Sequence, residues 1–305
     1  MDLRELKYFL ATAESGQVSR AANALAISQS SVTAAVRRLE DELGAPLFQR
    51  TASGMELTDA GRELRASAQD ILDRLERARH ITHRQSAVTG TISIAASYTV
   101  MGYFLPYHLD RLHQLFPGLD IRPSEQPRES IEEGLLSNRF DMAVMLTSNT
   151  ANPDLETETL FRSRRRLWVP NNHRFHQAGR VSFADIASED YIMLTVDEAA
   201  QTAMKYWSVL GMQPRVKLRT SSTEAVRSMV ANGQGITILS DMVYRPWSLE
   251  GKRIGTVQTE REVPTMDVGL AWRRGMEISG PLAVFHDYFR HAFLSPQSPA
   301  VVGRI

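Results

Sequence analysis

The stretch from Ile27 to Arg50, ISQSSVTAAVRRLEDELGAPLFQR, restricts the fold more than any other. Ser28 stands where an N-cap is needed, its hydroxyl able to accept from a free amide of the first helical turn. Ile27 and Val32 have the spacing of a hydrophobic staple. Val32, Val36, Leu39 and Leu43 recur at helical spacing as one buried stripe, and Gly44 suits the helix C-terminus. The opposite face gathers Gln29, Ser30, Thr33 and Arg37, side chains that suit base edges and phosphates in a major groove. Glu40, Asp41 and Glu42 are held back to the far end. Taken alone, the stretch reads better as a solvated amphipathic surface helix. Its neighbours decide.

Leu3, Leu6, Phe9 and Leu10 mark a first amphipathic helix ending near Ser15-Gly16. Ser19 is placed to cap a short second helix from Arg20 to Leu25, where Ala21 and Ala22 permit close helix approach. Ala26-Ile27 is a tight connection, so the three helices form a helix-turn-helix arrangement. Pro46, Leu47, Phe48 and Arg50 then lead through Thr51-Ala52-Ser53-Gly54 to Met55-Glu56-Leu57. That hairpin reads as a wing from which Arg50 reaches phosphates or a minor groove.

These residues resemble the LysR-type transcriptional regulators. The resemblance is carried by Phe9, Ser19-Arg20-Ala21-Ala22, Leu25, Ser28-Gln29-Ser30-Ser31-Val32, Leu39-Glu40, Leu43-Gly44, Leu47-Phe48 with Arg50, and Leu57-Thr58 with Ala60-Gly61. An ordered set over about sixty residues is far more specific than a lone helix-turn-helix pattern. Two positions depart from the family's habit: Ser30 stands where a proline is common, and Ala34 where a basic residue is common. The second removes one base or phosphate contact. The expected groove residues are Ser28, Gln29, Ser30, Ser31, Thr33 and Arg37, with Ser19, Arg20, Arg38 and Arg50 toward phosphates or the wing.

Charge argues the other way. The formal net charge is +0, whereas a DNA binder is usually basic. Within residues 1–58, Arg4, Lys7, Arg20, Arg37, Arg38 and Arg50 face Asp2, Glu5, Glu14, Glu40, Asp41, Glu42 and Glu56. Placement must therefore do what total charge does not, with the arginines on one face and doubled by self-association. There is no cysteine, so disulfides and thiolate chemistry are excluded. The N-terminus lacks an apolar signal region, and no apolar run reaches the roughly 18 residues of a membrane span, so a cytoplasmic protein is expected.

A long helix starts at Thr58 or Asp59 and runs to about Gln85. Leu57, Gly61, Leu64, Ala68, Ile71, Leu75 and Ala78 form a coiled-coil seam flanked by alternating charges such as Arg62, Glu63, Asp73 and Arg74. From about Ala87–Gly90 strands and helices alternate. The expected strands are Thr91–Ala96, Leu119–Ser124 and Asp141–Leu146, and later Arg165–Val169, Tyr191–Leu194, Val216–Leu218, Ile236–Leu239 and Met266–Trp272. Helices are expected near 105–116, 128–138, 198–210, 223–232 and 281–294, and this order implies parallel sheets with crossovers. The resemblance implies an α/β multi-domain chain: a winged helix-turn-helix at 1–58, a linker/dimerisation helix at 59–87, and an effector domain at 88–294. That domain is similar to type 2 periplasmic binding proteins, with lobe I at about 90–160 and 266–294 and lobe II at about 161–265. The tail, 295–305, reads as disordered. The resemblance further implies promoter DNA, a small-molecule effector, RNA polymerase and the chain itself as partners, the last as a dimer of dimers forming a homotetramer.

In open α/β sheets ligands gather beyond strand C-termini. Ser97, Tyr98 and Thr99, then Arg128, then Thr147 and Ser148, and Thr195 in the second lobe occupy such positions. Hydroxyls, helix amides and a guanidinium suit a small organic anion, though Ser97 and Thr99 read equally well as N-caps and Arg128 reads better as a surface ion pair. The resemblance favours Ser97, Thr99, Thr147 and Thr195. Gly233-Gln234-Gly235 follows a helix and precedes a strand, the wrong order for a phosphate loop. His80/His83 and His173/His176 lack further ligands nearby, so no metal or cofactor is expected. The run Arg162, Arg164, Arg165, Arg166 reads as a solvated sheet edge in preference to a subunit contact. No catalytic constellation is present, which disfavours an enzyme with an accessory DNA module. A transporter's solute-binding subunit would need an export signal.

Overall fold

The computed structural model describes residues 1–25, 27–51, 54–80 and 88–294. Two compact units divide after Ala87. In the first, α1 (Leu3–Ser15), α2 (Val18–Ala24) and α3 (Gln29–Leu43) precede the paired strands β1 (Phe48–Thr51) and β2 (Gly54–Leu57), then α4 (Asp59–His80). A capping box that sequence reading missed starts α1. Asp2 accepts from the amides of Arg4 and Glu5, and the Glu5 carboxylate accepts from the Asp2 amide at 2.8 Å. Gly16 and Gly44, both at φ 66, end α1 and α3 in the left-handed conformation.

Leu6, Phe9, Leu10, Val36, Leu39, Leu47, Phe48, Ala68 and Leu72 form the main core of this unit. Three expectations need correcting. Leu43 is exposed, because the last turn of α3 runs past the core, and Ala35 is buried in its place. Ser19 caps nothing: it lies inside α2, whose N-cap is Gln17 without a side-chain bond. The apolar stripe of α4 is not free for a partner along its whole length. Gly61, Ala68 and Leu72 are buried, and Leu64 packs on the unit's own core. Ile71 is exposed. The Ala78 side chain, the Asp73 and Arg74 side chains, His83, the continuation to Gln85 and the tail from Ser295 lie outside the described set.

The second unit opens with β3 (Gly90–Ala96), α5 (Tyr98–Tyr103), α6 (Leu105–Leu115), β4 (Leu119–Glu125), α7 (Arg128–Leu136) and β5 (Met142–Leu146). β6 (Leu155–Ser163), β7 (Arg165–Pro170), β8 (Arg180–Val181), α8 (Phe183–Ala187), β9 (Asp190–Leu194) and α9 (Ala199–Val209) follow. Then come β10 (Arg215–Thr220), α10 (Thr223–Ala231), β11 (Thr237–Ser240), β12 (Ile254–Thr259), β13 (Met266–Arg273) and α11 (Gly280–Phe293).

The first lobe is a five-stranded sheet in the order β4-β3-β5-β13-β6. β3 pairs parallel with β4 and β5, whereas β13 is antiparallel to both neighbours, so the sheet is mixed where a parallel one was expected. The reason is connectivity: β13 returns from the second lobe rather than through a crossover helix. The sheet extends to Ser163, past the expected boundary at 160. Adjacent residues feed opposite faces. Ile94, Val144 and Leu270 join Phe285 and Phe289 on one side, while Ala95, Met145 and Ala271 meet Ile131 and Leu135 on the other. The segment after β3, expected to turn at Ser97-Tyr98-Thr99 straight into the helix lined by Leu105, Leu109, Leu112 and Phe116, is instead two helices that break at Phe104, with Pro106 in the first turn of α6.

The second lobe carries the order β11-β7-β12-β8 and the parallel pair β10-β9, with Tyr191 bridging to Ile236 just before β11. Only Arg165 and Arg166 of the arginine run leave the expected solvated edge, because β7 has a strand on each side, whereas Arg162 is exposed on the edge strand β6 and Arg164 is exposed between the two. Arg165 donates to the carbonyls of Pro264 and Thr265, and Arg166 Nε to Asp241 Oδ1 at 2.5 Å. Burial pushes the Arg165 guanidinium below its ordinary pKa. Gly233, at φ 72, makes the turn between α10 and β11.

Candidate DNA-binding face and effector cleft

Ser28 caps α3, accepting from the Ser31 amide at 3.2 Å, and its hydroxyl lies 2.9 and 2.8 Å from those of Ser30 and Ser31. The cap fixes where the helix begins, hence which side chains its first turns present. Gln29, Ser30, Ser31, Ala34 and Arg37 are exposed, and Val32, Ala35, Val36 and Leu39 are buried opposite. Thr33 is half-buried and donates to the Gln29 carbonyl at 2.9 Å. Ser28→Ala is expected to destabilise this unit by about 1 kcal/mol, seen as a lower urea midpoint with an unchanged slope.

The expected phosphate contacts separate. Arg20 is exposed and Ser19 half-buried on α2. Arg38 is exposed, but its Nε donates to Glu5 Oε1 at 2.6 Å, tying α3 to the start of α1. That bond, more than any other influence, holds the Glu5 carboxyl below its ordinary pKa. A depressed carboxylate contributes stability above its unfolded-state pKa and loses it as pH falls through the folded value. Acid titration should therefore destabilise the wild type more steeply than Glu5→Gln, read from unfolding midpoints below neutral pH. Glu40, near the C-terminal end of α3, accepts from the Leu47 amide at 2.8 Å and so holds the wing's entry. Arg50 lies on β1 opposite Met55; its side chain is outside the described set.

In the second unit, the residues after β3, at the start of α7 and after β5 meet one segment of the other lobe. Asp197 and Glu198 follow β9 and Thr195, and the carboxylate of Asp197 accepts from the amides of Tyr98 and Thr99 at 3.2 and 2.6 Å. Glu198 accepts from Arg128 Nε at 3.2 Å and from Asn149 Nδ2 at 3.1 Å. Neither acid was singled out from the sequence, and both lie at positive φ, 50 and 55. Non-glycine residues held there cost about 1–3 kcal/mol each and mark strained functional segments.

Arg128 does not stand ready for a ligand anion. Besides Glu198, its Nη1 donates to Glu132 at 2.9 Å and its Nη2 to Glu129 at 2.7 Å. The Glu132 bond is the main reason its pKa is raised. Replacing it by methionine should leave three carboxylates without their shared cation. With the site partly exposed, the expected loss is about 1 kcal/mol, measured by thermal unfolding. Thr147 is buried, with its hydroxyl 2.9 Å from that of Thr159, and so faces its own sheet. Ser148 is exposed, Thr195 half-buried and Tyr98 exposed. Ser97 and Thr99 are buried, and the Ser97 hydroxyl has no hydrogen-bond partner. At the far end of α5, Tyr103 donates to Glu224 at 3.4 Å, a second contact between the lobes.

The family model of the bacterial regulatory helix-turn-helix protein, lysR family, matches residues 3–62, and that of the LysR substrate binding domain matches residues 85–294. The chain belongs to the LysR family of transcriptional regulators. This LysR regulator is 30% identical to the uncharacterized HTH-type transcriptional regulator YwqM of Bacillus subtilis (strain 168), over 96% of this chain and 100% of that one. It is also 30% identical to the DNA-binding transcriptional dual regulator OxyR of Escherichia coli (strain K12), over 90% of each. Among solved structures, HinK, a LysR family transcriptional regulator from Pseudomonas aeruginosa, superposes with a TM-score of 0.62 at 30% identity, covering 95% of this chain and 98% of that one. The LysR regulator thus binds DNA through its N-terminal helix-turn-helix and a small-molecule effector through its C-terminal domain. Among the described residues no helix is long and apolar enough to cross a membrane, and no group of three His, Asp or Glu is placed to hold a metal.

Proposed function

We propose that α3 enters the major groove of an interrupted palindromic promoter site, with Gln29, Ser30, Ser31, Thr33 and Arg37 toward the bases and Arg20, Arg38 and Arg50 toward phosphates or the wing. The carrying observation is the split of α3 into a buried face and an exposed polar one. Residues 1–58 read DNA, 59–87 pair protomers into a dimer and then a homotetramer, and 88–294 sense the effector, all in the cytoplasm, with RNA polymerase as the further partner. The effector is a small organic anion bound near Ser97, Tyr98, Thr99, Ser148 and Thr195. What supports an anion is that a carboxylate, that of Asp197, already lies on the amides of Tyr98 and Thr99. A gel shift with DNA from upstream of the chain's own gene tests the first part. A thermal-shift screen of small carboxylates on the full chain tests the second, since a bound ligand raises the melting point by mass action. Ser97→Ala and Thr195→Val should each weaken a confirmed effector in calorimetry; unchanged binding in both removes these residues from the site.

A further inference from the structure

Asp197 and Glu198 do more than line a cleft. Their side chains come from the lobe of β9, and their partners come from three separate connections of the other lobe: the start of α5, the start of α7 and the turn after β5. The Asn149 amide also donates to the Asp197 carbonyl at 3.4 Å, so backbone and side chains of one short segment are all held from across the cleft. Two successive acids at positive φ aim both carboxylates at that lobe. Other interlobe contacts involve neither acid: Tyr103 donates to Glu224 and lies under the Arg245 guanidinium at the opposite end of α5, and Ser163 at the end of β6 accepts from Ser240 and from the Met242 amide.

We infer that Asp197 and Glu198 form an intramolecular latch that fastens the two lobes, and that opening the cleft at this side requires its release while the Tyr103 end serves as the pivot. The inference rests on the reading of this cleft as the effector site and adds how occupancy is coupled to shape. A ligand shifts the equilibrium only through a difference in affinity for the latched and released forms. A group that takes the place of the Asp197 carboxylate supplies such a difference, because it cannot bind while the latch is closed.

Amide hydrogen exchange on the full-length protein, read peptide by peptide, tests it. Asp197→Ala should speed exchange of the 97–103 segment by about tenfold or more, because an amide that has lost its acceptor opens locally. Glu198→Gln should do the same, more weakly, at 147–150. The central strands β5 and β11 should keep their wild-type rates in both variants, which separates unlatching from misfolding. Unchanged exchange at 97–103 in Asp197→Ala overturns the latch. Acetate, set against an equal concentration of chloride, should restore protection in Asp197→Ala and leave the wild type unaffected. Fast exchange that acetate does not slow supports the latch and counts instead against the anionic effector.

Discussion

Gly61→Ala should abolish DNA binding by breaking the unit that presents α3. A Cβ at position 61 would lie 2.1 Å from the Leu47 carbonyl oxygen and 2.9 Å from a Leu57 methyl. That carbonyl accepts from the Thr58 amide at 3.1 Å, and the Thr58 hydroxyl in turn receives the Gly61 amide at 3.0 Å. The start of α4, the entry to the wing and the end of β2 therefore share one knot of backbone, and backbone cannot rotate away as a side chain can. The expected loss is about 3 kcal/mol, enough to lower the melting point of a unit of this size by about 15 °C. Calorimetry should show that fall, with no retarded band at any protein concentration reached by the wild type. A variant that melts and binds normally would mean that the wing does not rest on α4.

Gly269→Ala should do comparable damage in the effector unit. Its Cβ would meet the Glu158 carbonyl oxygen at 2.2 Å and Thr147 and Thr159 atoms at 2.8 Å. Gly269 sits at the register shift where β13 crosses from Phe161 to Thr159, between β5 and β6, so no side is open. About 3 kcal/mol of destabilisation is again expected, here a fall of about 9 °C because the larger unit has the steeper unfolding entropy. The Thr147–Thr159 hydroxyl pair lies beside the clash. The turn that carries Asn149 should loosen with it, and a confirmed effector should bind more weakly in calorimetry. Wild-type melting would show that the sheet can separate there without cost.

How much the sequence disclosed depends on where each signal is written. α3 was legible because its cap, staple, stripe and terminal glycine are all local, and the structure keeps them apart from Leu43. β5 was legible because every residue in it is buried. β6 and β12 were not read: LETETLFRS mixes charges into an edge strand, and IGTVQT has neither alternation nor bulk. Missing β12 is why Arg165 and Arg166 read as an edge, since one neighbour of β7 leaves no signal. At the cleft, Ser97, Tyr98, Thr99 and Arg128 were placed by the rule that sites lie beyond strand ends. Asp197 and Glu198 were not, because positive φ at two acids and partners for their carboxylates 49 to 99 residues away in sequence leave no local trace. Arg128 failed as an anion anchor for the same reason: Glu129 and Glu132 are near in sequence, but Glu198 is not.

The central claim is that a chain of formal net charge +0 reads DNA by placing a few groups on the exposed face of α3. Fluorescence anisotropy with its upstream promoter DNA, across a salt series, addresses this most directly by comparing the wild type with Arg37→Ala and Gln29→Ala. Each substitution should weaken binding by about tenfold, with the salt slope falling by about one per lost phosphate contact. If Gln29 reads a base, its variant should keep the wild-type slope and lose discrimination between the promoter and an unrelated duplex. Affinity, slope and discrimination all unchanged in both variants would contradict the account.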